Sequence, residues 1–320
     1  MDWRRGLDWI GSYHSPSEGS FGLRHRRRLG GDKRSHLPRH LCRQSCPPLE
    51  KAVKINPNLS SKTYINSLLD KIPVKPEAER IRYRGMTILV TMPCWNEEGK
   101  AGVGAKAVPR DLVDVVCVVD NGSIDRTADE AKEAGALVIS HPNNLGAGGG
   151  IRTGLEYGRR NGYDLLAVLA GDNQDDPQDL YRAVDKLIDE ELDYVQGSRW
   201  LKEGKRENMT VSRTILTWVY SLLFRLLFKK RITDATNGFR VFRKEVLENP
   251  KLNLWQDWLL QYEMEPYLLI QTCRAGYKVG EVPVTKRYHD DMNDNTKMVP
   301  FKSWWSILRP LFLLSLRMKS

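Results

Sequence analysis

The stretch AVLAGDNQDDP, residues 167–177, runs a core-like apolar strand straight into acidic and amide side chains. Asp172 and Gln174 stand two residues apart, so both can aim oxygens at one hard cation held at a strand terminus. An Mg2+ or Mn2+ bound there would bridge phosphate oxygens and neutralise a departing diphosphate. Asp176 and Pro177 have a simpler use, as the turn and cap ahead of the next helix. Three other polar clusters invite the same scrutiny: PCWNEE (93–98), DNGSIDRT (120–127) and HPNNLGAGGG (141–150). Asp120, at the tip of an apolar run, suits a hydrogen bond to a ribose hydroxyl or a base N–H, whereas Asp125 fits a helix N-cap. The glycines at 146–150 serve either close helix packing or a phosphate-facing turn. A dinucleotide-binding reading fails, because the G-x-G-x-x-G spacing from Gly146 demands glycine where Ile151 stands.

These clusters need elements to hold them. TILVTM (87–92), VDVVCVV (113–119), ALVI (136–139) and LLAVLA (165–170) read as buried strands. Helical stretches alternate with them at 126–134, 149–160 and 179–191, which predicts an α/β domain with a mainly parallel sheet. Right-handed crossovers then bring the C-terminal strand ends to one edge, where ligands bind in such sheets. Each polar cluster follows one of the four strands, so all converge on one crevice. Beyond Ser198 the pattern loosens. The stretches 211–230 and 301–319 carry apolar and aromatic residues with basic flanks, as either core helices or interfacial helices lying on a bilayer do.

Taken together, the motifs resemble glycosyltransferase family 2, and within it the polyprenyl- (dolichol-) phosphate mannosyl- and glucosyltransferases. PCWNEE is similar to the family's P-x-Y-N-E-E, and VVDNGSIDRT to V-V-D-D-G-S-x-D-x-T. NNLGAGGGIRTGLEYG resembles its N-x-G-x-G turn and helix, and AGDNQDDP the D-G-D-G-Q-H-D-P form of its D-x-D motif. QGSRW, TDATNGFRVFRKEVL and GEVPV follow in the expected order. The resemblance covers about 86–300 and implies a GT-A fold, a nucleotide-sugar donor and a divalent metal. It implies that Pro93, Trp95, Glu97 and Asp120 line the nucleotide pocket, and that Asp172 and Gln174 hold metal and diphosphate. Arg199 and Arg213 would bind donor or acceptor phosphate, joined by Lys297. The donor pocket also takes in two departures from the pattern: Asn121 stands for the second Asp of V-V-D-D, and Ala170 for the first Asp of D-x-D. The spacing from GEVPV to Lys297 is longer than the family's.

Composition sets the outer bounds. The net charge of +10 is uneven, with ten Lys and Arg against five Asp and Glu in residues 1–50. That segment has no apolar periodicity, so residues 1–80 are expected to form a basic, unstructured extension. The glycosyltransferase domain is expected at 86–300, with an amphipathic helix at 301–320. The five cysteines follow no metal or disulfide pattern, which fits a reducing compartment. No apolar run of 18 residues appears, so no spanning helix is expected, and the N-terminus lacks the apolar centre of a secretory signal. The resulting expectation is a metal-dependent transfer of mannose or glucose from GDP-mannose or UDP-glucose to a polyprenyl phosphate. It would occur in the cytoplasm, peripherally on the membrane surface, with no nucleic-acid partner. The alternatives are the same fold acting on a saccharide or other acceptor, and a non-catalytic nucleotide-sugar-binding protein.

Overall fold

In the computed structural model, which describes residues 61–288 and 302–316, the first apolar run forms strand β1 (Ile88–Cys94). It is followed by α2 (Ala101–Ala107), β2 (Val115–Asp120), α3 (Thr127–Glu133), β3 (Leu137–Ser140), α4 (Ala147–Arg160) and β4 (Leu165–Val168). Then come α5 (Asp179–Asp189), β5 (Tyr194–Ser198), β6 (Lys205–Glu207), α6 (Val211–Phe228), β7 (Arg240–Arg243) and α7 (Glu245–Glu248). The chain continues through α8 (Met264–Ala275), β8 (Val279–Pro283), β9 (Thr285–Arg287) and α9 (Lys302–Ser315), and a helix α1 (Ser61–Leu69) precedes them all. Seven strands make one sheet in the order β3-β2-β1-β4-β7-β5-β8, and β6 pairs with β9 in a separate ribbon. Only β7 runs antiparallel to its neighbours in the large sheet.

Both faces of the sheet are covered, which is why its strands read as unbroken apolar runs. Alternate residues serve opposite faces. Leu89, Cys117, Val119 and Leu166 pack with α1, α4, α6, α8 and α9. Ile88, Val90, Val116 and Val118 pack with α2, α3 and α5. The chain reverses its direction of travel across the sheet between β1 and β4, a switch point that opens a crevice at the strand ends.

Three expectations are corrected here. Residues 61–80, assigned to an unstructured extension, instead hold α1, whose Ile65 is fully buried. Beyond that helix, Pro73 accepts a hydrogen bond from Tyr157 Oη (2.8 Å), and Lys75 Nζ pairs with Asp114 (2.6 Å). Residues 1–60 lie outside the described residues. Strand β4 ends at Val168 rather than at 170, because the Ala170 N–H turns to Asp175 Oδ2 (2.8 Å) instead of continuing the ladder. Finally, α6 is long and apolar enough, by length and composition alone, to cross a membrane. It carries Arg213 and Arg225, and its Phe224 is fully buried against the domain, so it is fastened to the fold along one side.

The glycine-rich turn packs closely against the segment ahead of α8. A Cβ on Gly146 would stand 2.2 Å from Leu260 O, and one on Gly148 2.1 Å from Leu259 O. Only glycine lets the start of α4 approach the 259–261 backbone so closely.

Candidate active site

The loop after β1 is laced to the loop after β2 and to the start of α3. Four consecutive N–H groups donate across: Asn96 to Ser123 Oγ (2.9 Å), Glu97 to Thr127 Oγ1 (2.7 Å), Glu98 to Asp125 Oδ2 (3.1 Å) and Gly99 to Glu130 Oε2 (2.7 Å). In return, Ile124 N–H donates to Asn96 Oδ1 (3.0 Å). Asp125 therefore joins two loops as well as accepting from Thr127 N–H at the start of α3 (3.0 Å). Asn121 fastens the third loop. Its amide donates to Asn144 Oδ1 and Gly146 O (both 2.9 Å), and its Oδ1 accepts from Leu145 N–H (2.9 Å). The ring of His141 sits 2.8 Å from the same oxygen, and burial pushes that imidazole down to about 4, despite the nearby Asp120 carboxylate.

A cleft of about 650 Å3 opens above these loops. Pro93 lines it from the end of β1, Trp95 and Glu97 from the loop after β1, Asn121 from the loop after β2, and Ala170, Asp172 and Gln174 from the loop after β4. Trp95 is 39 % exposed. Asp120 is not among the lining residues. One oxygen of its carboxylate accepts from Ser123 N–H (3.0 Å), which shapes the loop after β2. Burial pushes the Asp172 carboxyl up, with Lys286 pulling the other way. Gln174 is buried, and its backbone N–H donates to Asp172 Oδ1 (3.2 Å). Among the described residues, no group of three or more His, Cys, Asp or Glu gathers as a metal cage. One carboxylate and one amide oxygen do fit a hard cation that takes its remaining ligands from water and substrate phosphates.

The two predicted arginines differ sharply. Arg199 is buried in a bidentate pair with Asp234 (Nε–Oδ2 2.6 Å, Nη2–Oδ1 2.7 Å) and also donates to Thr236 and Tyr288. Burial opposes its charge, but the Asp234 carboxylate overrides that and raises the pKa above the ordinary arginine value. The pair is itself braced by Glu281 of GEVPV, which accepts from the backbone N–H groups of Thr233 and Asp234. Arg199 thus lines the cleft while committing four of its five N–H donors to protein. Arg213, in the first turn of α6, lines the cleft from the other side, with its guanidinium 4.8 Å from the centre of the Tyr288 ring. Lys297 lies outside the described residues.

The arrangement is a crevice at a switch point, with an aromatic wall, a carboxylate floor and basic groups opposite. A family model described as "Glycosyl transferase family 2" matches residues 90–249, half of the chain. The chain belongs to glycosyl transferase family 2. Within the family it is 30% identical over 209 residues to an undecaprenyl-phosphate mannosyltransferase of Micrococcus luteus, covering 62% of this chain and 83% of that protein. It is 27% identical over 240 residues to a UDP-N-acetylglucosamine–dolichyl-phosphate N-acetylglucosaminyltransferase of Methanococcus voltae, covering 69% and 94% respectively. It is also 29% identical over 204 residues to a polyprenol monophosphomannose synthase of Mycolicibacterium smegmatis (62% and 76%). Among solved structures, glucosyl-3-phosphoglycerate synthase from Mycobacterium tuberculosis superposes with a TM-score of 0.57 at 20% identity, covering 74% of this chain and 82% of that one. The fold is the GT-A type that the motifs imply.

Family motifs account for one half of the cleft; the other half escaped the sequence reading. Lys286 projects into it from β9, paired with Asp175 (2.8 Å). Burial works against that ammonium, but Asp175 and then Asp172 hold its pKa above the ordinary lysine value. Gln261, Tyr262, Glu263 and Glu265 line the cleft from the segment leading into α8, and Trp304, Trp305 and Arg309 from α9. Glu263 is buried, 3.8 Å from Arg309, and its Oε2 has no hydrogen-bond partner. Two signals were available in the sequence: a lysine two residues past GEVPV, and an acidic pair at the head of an apolar helix.

Proposed function

We propose that this chain transfers a hexose, mannose or glucose, from a nucleotide sugar to a polyprenyl phosphate at the cytoplasmic face of a membrane. The observation that carries the reading is the inverted character of α6. Its inward face includes Thr217 and Ser221, while Val211, Ile215, Trp218 and Leu226 stand exposed. Trp305 and Phe312 of α9 extend the exposed apolar surface, and Lys229, Lys230 and Arg231 follow α6 as exposed cations. An apolar face bordered by basic residues suits the headgroup boundary of an anionic bilayer. The same two helices line the cleft, so an acceptor phosphate held at the bilayer surface would meet Arg213. The relatives named for undecaprenyl and dolichyl phosphates support this choice of acceptor.

In this reading Trp95, Pro93 and Glu97 hold the nucleotide, while Asp172 and Gln174 hold Mg2+ or Mn2+. That metal supplies Lewis-acid charge for the diphosphate. Metal-bound solved structures of the same fold, including one with Mn2+ and UDP, are consistent with this assignment. An acceptor phosphate oxygen forms the new C1–O bond as the bond from C1 to the donor's β-phosphate oxygen breaks, and the diphosphate leaves with the bonding pair. The attacking oxygen is already anionic, so positioning and charge stabilisation carry the rate without a strong base.

The test is a transfer assay pairing GDP-mannose or UDP-glucose with polyprenyl phosphate in anionic vesicles, run beside vesicle flotation. Lipid-linked product and flotation, both weakened by Trp218→Glu with Trp305→Glu, are expected. Efficient transfer to a soluble sugar with no vesicle binding would replace the lipid acceptor with a saccharide.

A further inference from the structure

The turn at the floor of the cleft carries two carboxylates with different fates. Asp172 faces the cleft, whereas Asp175 is almost wholly buried and shared between the Ala170 N–H and the Lys286 ammonium. Lys286 is also buried, yet it lines the cleft. Its backbone is stitched to the same turn on both sides: Arg287 N–H donates to Gln174 O (2.8 Å), and Asp176 N–H to Thr285 O (3.2 Å). The ammonium is therefore fixed beside the Asp172–Gln174 pair before any ligand arrives.

Stability alone is a weak reason for that placement. A buried ion pair contributes little compared with apolar residues of similar volume, because desolvating two charges offsets their attraction. A cation held rigidly in a partly dehydrated cleft is, by contrast, worth most where negative charge collects on a ligand. An ammonium has three N–H donors, and the bond to Asp175 uses one. With alanine at 170, the cleft-facing floor offers one carboxylate for a metal and one fixed ammonium beside it.

We propose that Lys286 is a resident cation of the diphosphate site, donating to the terminal phosphate of the bound nucleoside diphosphate and to the diphosphate as it leaves. This rests on the nucleotide-sugar reading of the cleft. It implies that the site grips a diphosphate without metal, and that metal adds to the grip rather than creating it. No new bond is made by Lys286. As the C1–O bond breaks, it stabilises the negative charge that the electron pair brings to the diphosphate.

Calorimetric titration of GDP, UDP, GMP and UMP, in EDTA and in Mn2+, tests the idea on the full chain. In EDTA the unmodified protein is expected to bind the matching diphosphate roughly ten- to a hundredfold more tightly than its monophosphate, as a charge-assisted hydrogen bond allows. Lys286→Gln should erase that preference while leaving monophosphate affinity unchanged. Because Lys286→Gln strands a buried Asp175, the double variant Asp175→Asn with Lys286→Met provides the second arm, its fold checked by melting. It too should lose the preference. A cooperatively folded double variant that keeps the preference in EDTA overturns the proposal, as does a wild type with no preference in EDTA but normal diphosphate binding in Mn2+. Absence of nucleotide binding under every condition would instead remove the donor reading on which the proposal stands.

Discussion

Arg199→Ala and Arg213→Ala separate two side chains that the motifs treat alike. Arg199 is at 4 % exposure in a bidentate pair with Asp234, itself fully buried, so its loss leaves a carboxylate stranded in the core. Breaking one side of such a pair costs about 3–5 kcal/mol. At about 2–4 °C per kcal/mol for a domain of this size, the melting temperature should fall by roughly 6–20 °C. Arg213 is half-buried and rests on Tyr288, a contact worth about 1 kcal/mol or less, so its loss should move the midpoint by a few degrees at most. The assay is a thermal melt of each variant beside titration with a phosphate-bearing acceptor. Arg213→Ala should weaken acceptor binding without unfolding the protein, and Arg199→Lys should recover little, since an ammonium cannot span both Asp234 oxygens. An Arg199→Ala protein that melts like the wild type but loses phosphate affinity would refute the brace and return Arg199 to the ligand.

Three further outcomes follow from the same geometry. Asp172→Asn should abolish Mn2+-dependent tightening of nucleotide binding without changing the melt, while Ala170→Asp should tighten it; equilibrium dialysis with Mn2+ reads both. A chain beginning at Ser61 should keep a cooperative melt, whereas one beginning at Ile81 loses the burial of Ile65 and Leu69, about 3–6 kcal/mol by area, and should melt far lower or not cooperatively. His141 is depressed by burial from the ordinary 6.5 to about 4, so the unfolded chain binds its proton first. Stability should fall as pH drops from about 6.5 toward 4, by up to ~3 kcal/mol, and His141→Gln should flatten that part of a denaturant-versus-pH series.

The strands β1 to β4 were legible because a sheet covered on both faces writes itself as continuous apolar runs. Their ends were legible because polar clusters interrupt those runs. Helix α1 was not, since SKTYINSLL buries only a narrow stripe through Ile65 and Leu69 and sits beside a strongly basic segment. Nor was the antiparallel insertion of β7 between β4 and β5, a pairing between residues far apart in the chain that no local pattern encodes. The site divides the same way. Asp172 and Gln174 follow directly from a strand end, and Trp95 from the motif that the family resemblance supplies. The fate of Arg199 depends on Asp234, and that of Lys286 on Asp175, partners that only the fold brings within reach.

The lacing of the first two loops has a practical consequence for anyone seeking to change the donor. Backbone groups at 96–99 are held by side chains at 123–130, so neither loop keeps its shape if the other is exchanged alone. Residues 93–99 and 120–130 therefore behave as a single cassette. A graft that moves both together would keep these ties, whereas changing Ser123, Asp125, Thr127 or Glu130 alone would remove one tie at a time.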